Sequence, residues 1–129
     1  MTRINVVPVQ ELTNKHLQGE YHEITRVFGL VRKAQERGIN KYNIKQKLSI
    51  PDEYTLGTGH VLFFYDKLQY ILTRYTCLCI EMGRRGYNIN PVGLHYLTDG
   101  LRQEWFGDYS PTEQAMYINR QRIEERLAV

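Results

Sequence analysis

Apolar side chains recur every three or four residues in three segments of the chain, and this periodicity constrains its fold more than any other feature. The three stripes are Leu17, Tyr21, Ile24, Phe28 and Val31; Phe64, Leu68, Ile71, Leu72, Tyr75, Leu78, Cys79 and Met82; and Met116, Ile123 and Leu127. Such spacing places side chains on one face of an α-helix, whereas the alternation typical of strands is nearly absent. The sequence therefore predicts an all-α fold, a single compact domain of three main helices with long irregular connecting loops.

Residues that begin or end helices flank these stripes. Gly38 and Gly86 each follow basic residues, as expected of glycines just beyond helix C-termini. The third helix is predicted to begin in the run Ser110-Pro111-Thr112-Glu113, which offers an N-cap, a first-turn proline and a capping-box glutamate. The turn-rich connections are residues 39–59 and 87–109.

Simple counts exclude several classes of protein. No run approaches the roughly 18 apolar residues of a membrane span, and the start of the chain has no apolar signal region. Cys77 and Cys79 are two residues apart on a predicted helix, so they project from nearly opposite sides and are expected to be reduced thiols. Two thiols and four scattered histidines give no zinc-ligand spacing, so no metal is predicted.

The modest net charge of +3 hides an asymmetry along the chain. Residues 1–86 hold 13 basic and 8 acidic side chains, a net of +5, whereas residues 87–129 hold 4 and 6, a net of −2. A basic first part is compatible with an anionic partner such as nucleic acid.

The first predicted helix carries acidic and basic residues in separate sectors. Taking about 100° per residue, one sector beside the apolar stripe holds His16, Glu20, Glu23 and Val27, and a sector opposite the core holds His22, Arg26, Lys33 and Arg37. The pattern fits a solvated amphipathic helix with incidental ion pairs. It also fits an acid flanked by phosphate-binding cations, as chemistry on a nucleic-acid strand requires.

Blocks of sequence over almost the whole chain carry a family resemblance. They are Met1-Thr2-Arg3-Ile4-Asn5, Glu11-Leu12, His16-Leu17, Glu20-Tyr21, Glu23, Arg26-Val27-Phe28-Gly29, Leu56-Gly57-Thr58-Gly59-His60-Val61, Phe63-Phe64-Tyr65-Asp66-Lys67-Leu68, Arg84-Arg85-Gly86, Asn88-Ile89, Gly107-Asp108-Tyr109, Pro111 and Arg122. With these blocks the chain resembles the pyrimidine-dimer DNA glycosylase/AP lyase family of the T-even phages and its viral and bacterial relatives.

The resemblance implies a nucleophile and a carboxylate. In the family the initiator methionine is removed and the α-amine of the next residue, here Thr2, attacks C1′ of the damaged nucleotide. An α-amine has an ordinary pKa of about 7.7–8.0, so part of it is neutral at pH 7. The reaction proceeds through an imine to β-elimination, and Glu23 matches the family's catalytic glutamate.

The resemblance also implies DNA contacts. Arg3 and Arg26 match phosphate and lesion-site positions, and His16 and Glu20 match the active-site face. Further candidate DNA-binding residues are His22, Lys33, Arg84, Arg85, Arg122 and Arg126. Of these, the last two also fit an ordinary helix surface, and Arg84 and Arg85 also fit a cap on the second helix. By contrast, His60 and the run Phe63-Phe64-Tyr65 are predicted to be core.

Three features depart from the family pattern. Position 22 is His22, where the best-known members carry arginine; position 15 is Lys15; and the sequence ends at Ala128-Val129, where members usually continue into an aromatic-basic tail. Two alternatives therefore stay open. In the first alternative, the protein acts on another lesion or mainly on abasic sites. In the second, which requires that Met1 is retained, it is a non-catalytic DNA-binding or DNA-bending module.

The family resemblance also implies the domain organisation, the partners and the location of the protein. We expect residues 1–129 to form one glycosylase/AP lyase domain that needs no cofactor and acts as a monomer on damaged or abasic double-stranded DNA. No membrane partner is expected. The predicted location is the cytoplasm of a bacterial cell or of a virus-infected host cell.

Overall fold

Helices dominate the architecture. The computed structural model describes residues 3–127 of the chain. Its α-helices are α1 (Asn14–Glu23), α2 (Arg26–Glu36), α3 (Ile44–Leu48), α4 (Leu68–Arg84), α5 (Leu94–Thr98) and α6 (Glu113–Leu127), with 3₁₀ turns at Val9–Glu11, Leu62–Phe64 and Gln103–Trp105. Within the described part of the chain the only β pairing is an isolated bridge between Lys67 and Phe106. The predicted all-α class is confirmed, and the short helices α3 and α5 lie in segments that the sequence leaves as loops.

The first predicted helix consists of two helices, α1 and α2, with a break at Ile24 and Thr25. At the break the amide of Val27 donates to the carbonyl of Ile24, 3.2 Å away, with the three-residue spacing of a 3₁₀ turn instead of the four-residue spacing of an α-helix. The apolar stripe continues across the break because Ile24 and Phe28 are both buried. The periodicity of apolar residues therefore could not locate the break between α1 and α2.

Helix ends agree with the sequence at two sites and differ at a third. Gly38 and Gly86 have positive φ angles of 83° and 89°, which confirms them as the residues that end α2 and α4. Helix α6 begins at Glu113, and Thr112 is its cap, since the Thr112 hydroxyl accepts from the amide of Ala115 at 3.0 Å. The predicted cap at Ser110 and the capping box at Glu113 are therefore wrong.

The core forms where α1 packs on α4 and the start of the chain runs through the interior. Tyr21 of α1 stacks on Tyr75 of α4, with ring centroids 5.8 Å apart. Ile4, Val6, Val7 and Val9 are buried although they precede the first α-helix. We call residues 3–9 the N-terminal segment; its burial brings the beginning of the chain against helices that are distant in sequence.

The apolar centre also contains the aromatic residues of the middle of the chain. His60, Phe63, Phe64 and Tyr65 are all buried, which confirms their prediction as core residues. No helix in residues 3–127 is long and apolar enough to cross a membrane.

Candidate active site

The N-terminal segment is anchored through its backbone at Ile4. The amide of Ile4 donates to Nε2 of His60 at 2.9 Å, and its carbonyl accepts from the Tyr54 hydroxyl at 3.1 Å. All three residues are buried. Because a buried peptide group without a partner is costly, these bonds hold Ile4 in one place.

A second anchor lies on α6. Oδ1 of Asn119 accepts from the amides of Val6 and Val7, at 2.8 and 3.2 Å, and its Nδ2 donates to Oδ1 of Asn5 at 2.8 Å. Asn119 is completely buried. The side chain thus replaces the backbone partners that a neighbouring strand would give to an extended segment.

Glu20 of α1 lies behind the same segment, in the interior. Its carboxylate accepts two hydrogen bonds from Arg74, at 2.8 and 2.9 Å, and one from Nδ2 of Asn5 at 2.9 Å. Arg74 also donates to the carbonyl of Val7. The Glu20 side chain has no exposed area, so its carboxylate is enclosed by these partners and holds the N-terminal segment.

Glu23 lies one turn further along α1 and reaches the first described residue. Its Oε1 accepts from the backbone amide of Arg3 at 3.3 Å, and its Oε2 lies 3.7 Å from Nη1 of Arg26. The Glu23 side chain is 28% exposed, so solvent or a ligand can reach the carboxylate. An accessible acid is therefore tied directly to the beginning of the chain.

A cleft of about 410 Å³ opens beside this acid. Its walls come from the N-terminal segment, from α1 and from the end of α6. The lining residues are Arg3, Asn5, Lys15, His16, Gly19, Glu20, Glu23 and Arg126, and we call this the cationic cleft. It brings together five predicted site residues, which are Arg3, His16, Glu20, Glu23 and Arg126.

The cations of the cleft lie close enough to repel one another. Burial lowers the pKa of His16 below its usual range, and Lys15, Arg3 and Arg126 lower it further. Burial also lowers the pKa of the Arg3 guanidinium, again with help from Arg126 and from Arg122 of α6. Since an anion relieves such repulsion, the cleft is suited to a phosphate group.

The profile of the family described as pyrimidine dimer DNA glycosylase matches residues 1–92. The chain belongs to the pyrimidine dimer DNA glycosylase family. The matched part includes the N-terminal segment and α1 to α4, and therefore both Glu23 and His60.

Four further predicted DNA contacts of this pyrimidine dimer DNA glycosylase family member are not among the residues that line the cationic cleft. His22 packs edge-on against Tyr21, with ring centroids 5.0 Å apart, and lines a second cleft with Tyr75 and Tyr87. Lys33 and Arg26 are exposed on α2. Arg122 is partly buried on α6, 3.8 Å from Glu125.

Arg84 and Arg85 both bind Glu81 at the end of α4. Arg84 reaches the Glu81 carboxylate at 2.6 and 2.8 Å and keeps most of its side chain exposed. Arg85 binds the same carboxylate at 2.7 Å and donates to Oδ1 of Asn14 at 3.0 Å. Arg85 therefore ties α4 to the start of α1.

Thr2, the predicted nucleophile, lies outside the described residues. Its covalent neighbour Arg3 is described, and the backbone amide of Arg3 donates to Glu23. Among residues 3–127, no group of three or more His, Cys, Asp or Glu side chains is arranged to hold a metal ion.

Sequence reasoning missed the polar side chains that anchor the segment. Arg74 lies on the apolar face of α4, between Ile71 and Leu78, and Asn119 lies among the apolar residues of α6. A single polar residue inside an apolar stripe is the signal that could have found them, since such residues are buried only with partners.

Proposed function

We propose that this protein is a bifunctional glycosylase/AP lyase that acts on pyrimidine dimers in duplex DNA. The observation that carries the proposal is the hydrogen bond from the Arg3 amide to Glu23 at the edge of the cationic cleft. It ties the beginning of the chain to an accessible acid among cations that suit a phosphate backbone. Membership of the pyrimidine dimer DNA glycosylase family supports the choice of substrate.

In the proposed reaction the α-amine of Thr2 attacks C1′ of the damaged nucleotide. Consecutive Cα atoms are about 3.8 Å apart, so holding the Arg3 amide limits how far this amine can lie from Glu23. The C1′–N bond breaks, the base leaves with its electron pair, and loss of a proton from nitrogen with opening of the sugar gives a cationic imine.

Glu23 has two tasks in the steps that follow. Its carboxylate stabilises the cationic imine and accepts a proton from C2′. The electrons of that C–H bond form a C2′–C3′ double bond as the C3′–O bond breaks and the 3′ phosphate leaves. Water then hydrolyses the imine and restores the amine.

The remaining cations bind DNA in this proposal. Arg3, His16 and Arg126 line the cleft, and Arg26 lies beside the acid, so they are the candidates for contacts to phosphates near the lesion. Arg122, which lies close enough to Arg3 to lower its pKa, extends the same surface along α6. Extrusion of the damaged nucleotide costs less than that of a paired one because its stacking is already weakened.

Borohydride trapping tests the chemistry. Protein whose N-terminal mass shows that Met1 has been removed is incubated with duplex DNA containing an abasic site and reduced. We expect a covalent adduct whose linkage maps to Thr2. Absence of an adduct from the demethionylated protein would overturn the proposal. A parallel competition between dimer-containing and abasic duplexes measures which lesion is preferred.

The role of Glu23 is tested with Glu23→Gln. A glutamine can still accept from the Arg3 amide but carries no charge, so we expect DNA binding to persist while base release and strand cleavage fall by about 10²-fold or more. Glu36→Gln, at an exposed position of α2, is the matched control and should retain full activity. Equal loss of binding and activity in Glu23→Gln would assign the residue a structural role.

A further inference from the structure

His60 contacts two backbone groups that define its protonation state. Its Nε2 lies 2.9 Å from the Ile4 amide, which can only donate, and its Nδ1 lies 2.7 Å from the Thr55 carbonyl, which can only accept. Only a neutral imidazole with its proton on Nδ1 satisfies both. Protonation of Nε2 would set two donors against each other at Ile4.

The ring is held tightly in this orientation. Tyr54 and Phe64 pack edge-on against it, with centroid distances of 5.4 and 6.0 Å. The backbone before it is also constrained: Gly59 has a φ of +87°, and a Cβ there would lie 2.9 Å from Cγ of Pro51. The loop therefore presents the ring at a defined position beneath the N-terminal segment.

We propose that His60 is a positioning residue for the amine-bearing end of the chain, and that its protonation releases that end from the acid. The proposal rests on the proposed function, in which the residue preceding Arg3 supplies the nucleophile. Ile4 is bonded to Arg3, whose amide reaches Glu23. Loss of the bond at Ile4 therefore frees the same stretch of backbone whose Arg3 amide binds Glu23.

The charges around His60 favour the neutral state near pH 7. Burial lowers the pKa of His60, and the cations Arg3, from the N-terminal segment, and Arg122, from α6, lower it further. The bond to the Thr55 carbonyl and the charge of Glu20, from α1, act in the opposite direction. The titratable Tyr54 hydroxyl is committed to the Ile4 carbonyl. Release is therefore expected only in acid, below the ordinary histidine range.

Two substitutions separate the contact to Ile4 from the contact to Thr55. The amide of His60→Gln can place its oxygen near the position of Nε2, which keeps an acceptor for Ile4 that does not titrate. The shorter side chain of His60→Asn reaches only the position of Nδ1, which keeps the donor to Thr55 but removes the acceptor. Thermal unfolding of both variants establishes that they are folded.

The first measurement is by NMR on the intact wild-type protein and does not depend on activity. Imidazole nitrogen shifts should show His60 as the neutral Nδ1–H tautomer at pH 7. Below the ordinary histidine pKa of about 6.5, the Ile4 amide should lose protection as His60 becomes protonated, measured as its exchange rate relative to that of an unstructured peptide at the same pH. A charged His60 at pH 7, or an Ile4 amide indifferent to its titration, would overturn the proposal.

The second measurement is the single-turnover rate of strand cleavage at abasic DNA as a function of pH. His60→Gln should stay within about threefold of wild type at pH 7 and lose one protonation step from its acid limb. His60→Asn should be about tenfold slower at pH 7, with little change in DNA affinity. Identical acid limbs in wild type and His60→Gln would contradict the proposal. Wild type that forms no trapped adduct would instead overturn the proposed function, and the NMR result would stand separately.

Discussion

Arg74 donates two hydrogen bonds to the carboxylate of Glu20, from Nε at 2.8 Å and from Nη2 at 2.9 Å, with both side chains buried. The pair joins α4 to α1 directly behind the N-terminal segment. Since Asn5 and the carbonyl of Val7 bind the same two side chains, the ion pair is continuous with the network that holds the start of the chain.

Breaking this pair should destabilise the fold strongly. Glu20→Gln leaves the Arg74 charge buried without its counter-ion, so we expect the free energy of unfolding in urea to fall by about 3–5 kcal/mol. Glu20→Gln combined with Arg74→Met should recover part of that loss. Asp52→Asn, which breaks the exposed pair with Lys45, is the control and should change little. Equal effects of Glu20→Gln and Asp52→Asn would contradict the assignment.

Loss of the Asn119 amide should loosen the N-terminal segment. Asn119→Ala leaves the buried amides of Val6 and Val7 without an acceptor, and we expect a cost of about 1–3 kcal/mol in urea unfolding. Hydrogen exchange of these two amides should accelerate. Gln121→Ala, at an exposed position two residues along α6, is the control. Unchanged exchange at Val6 and Val7 in the Asn119 variant would exclude the anchoring role.

Glu81 should stabilise the protein only above acidic pH. Its bonds to Arg84 and Arg85 lower its pKa from 4.5 to about 2. A carboxyl group whose pKa is lower in the folded state contributes stability above its unfolded pKa, and this contribution declines as pH falls towards the folded value. Glu81→Gln should therefore be destabilising at pH 7, with a difference from wild type that narrows below about pH 4.5. A difference independent of pH, measured by urea unfolding, would refute this.

Salt should weaken DNA binding, and arginines of α6 should account for part of the effect. The logarithm of the binding constant falls linearly with the logarithm of the salt concentration, and each phosphate contact that is removed reduces the steepness of this fall by about 0.9. We expect Arg126→Gln and Arg122→Gln each to make the slope less steep by about 0.9, the amount that corresponds to one phosphate contact. Arg120→Gln is the matched control on the same helix, because Arg120 is engaged by Glu11 at 2.7 Å. A slope that is the same in wild type and Arg126→Gln would exclude Arg126 from the DNA interface.

The break in the first predicted helix shows how far periodicity reaches. The stripe from Leu17 to Val31 correctly predicts which side chains are buried, because the same faces of α1 and α2 point into the core. The break at Ile24 and Thr25 does not disturb that stripe. Likewise, Gly38 and Gly86 mark helix ends through their own backbone preference, which is a local property and therefore predictable.

In the candidate site, too, the sequence predicted some features and left others to the tertiary structure. Residue types along α1 and the family resemblance indicated the acid Glu23 and the cations of the cleft. They also placed Glu20 among the DNA contacts, although its carboxylate is directed into the interior by Arg74. The carboxylates of Glu20 and Glu23 therefore differ, one enclosed and one accessible, although both residues lie on α1. The sequence does not show this difference because Arg74, the partner of Glu20, is 54 residues away.

The sequence by itself therefore determined the helical class, the buried stripe of α1 and α2 and the chemical groups available to the site, since these follow from local spacing and side-chain type. Tertiary structure alone decided how the N-terminal segment is held. His60, Arg74 and Asn119 meet it from a loop and from two helices far along the chain, and they bind it because buried backbone groups require partners. Contacts between such distant residues leave no periodic trace in the sequence.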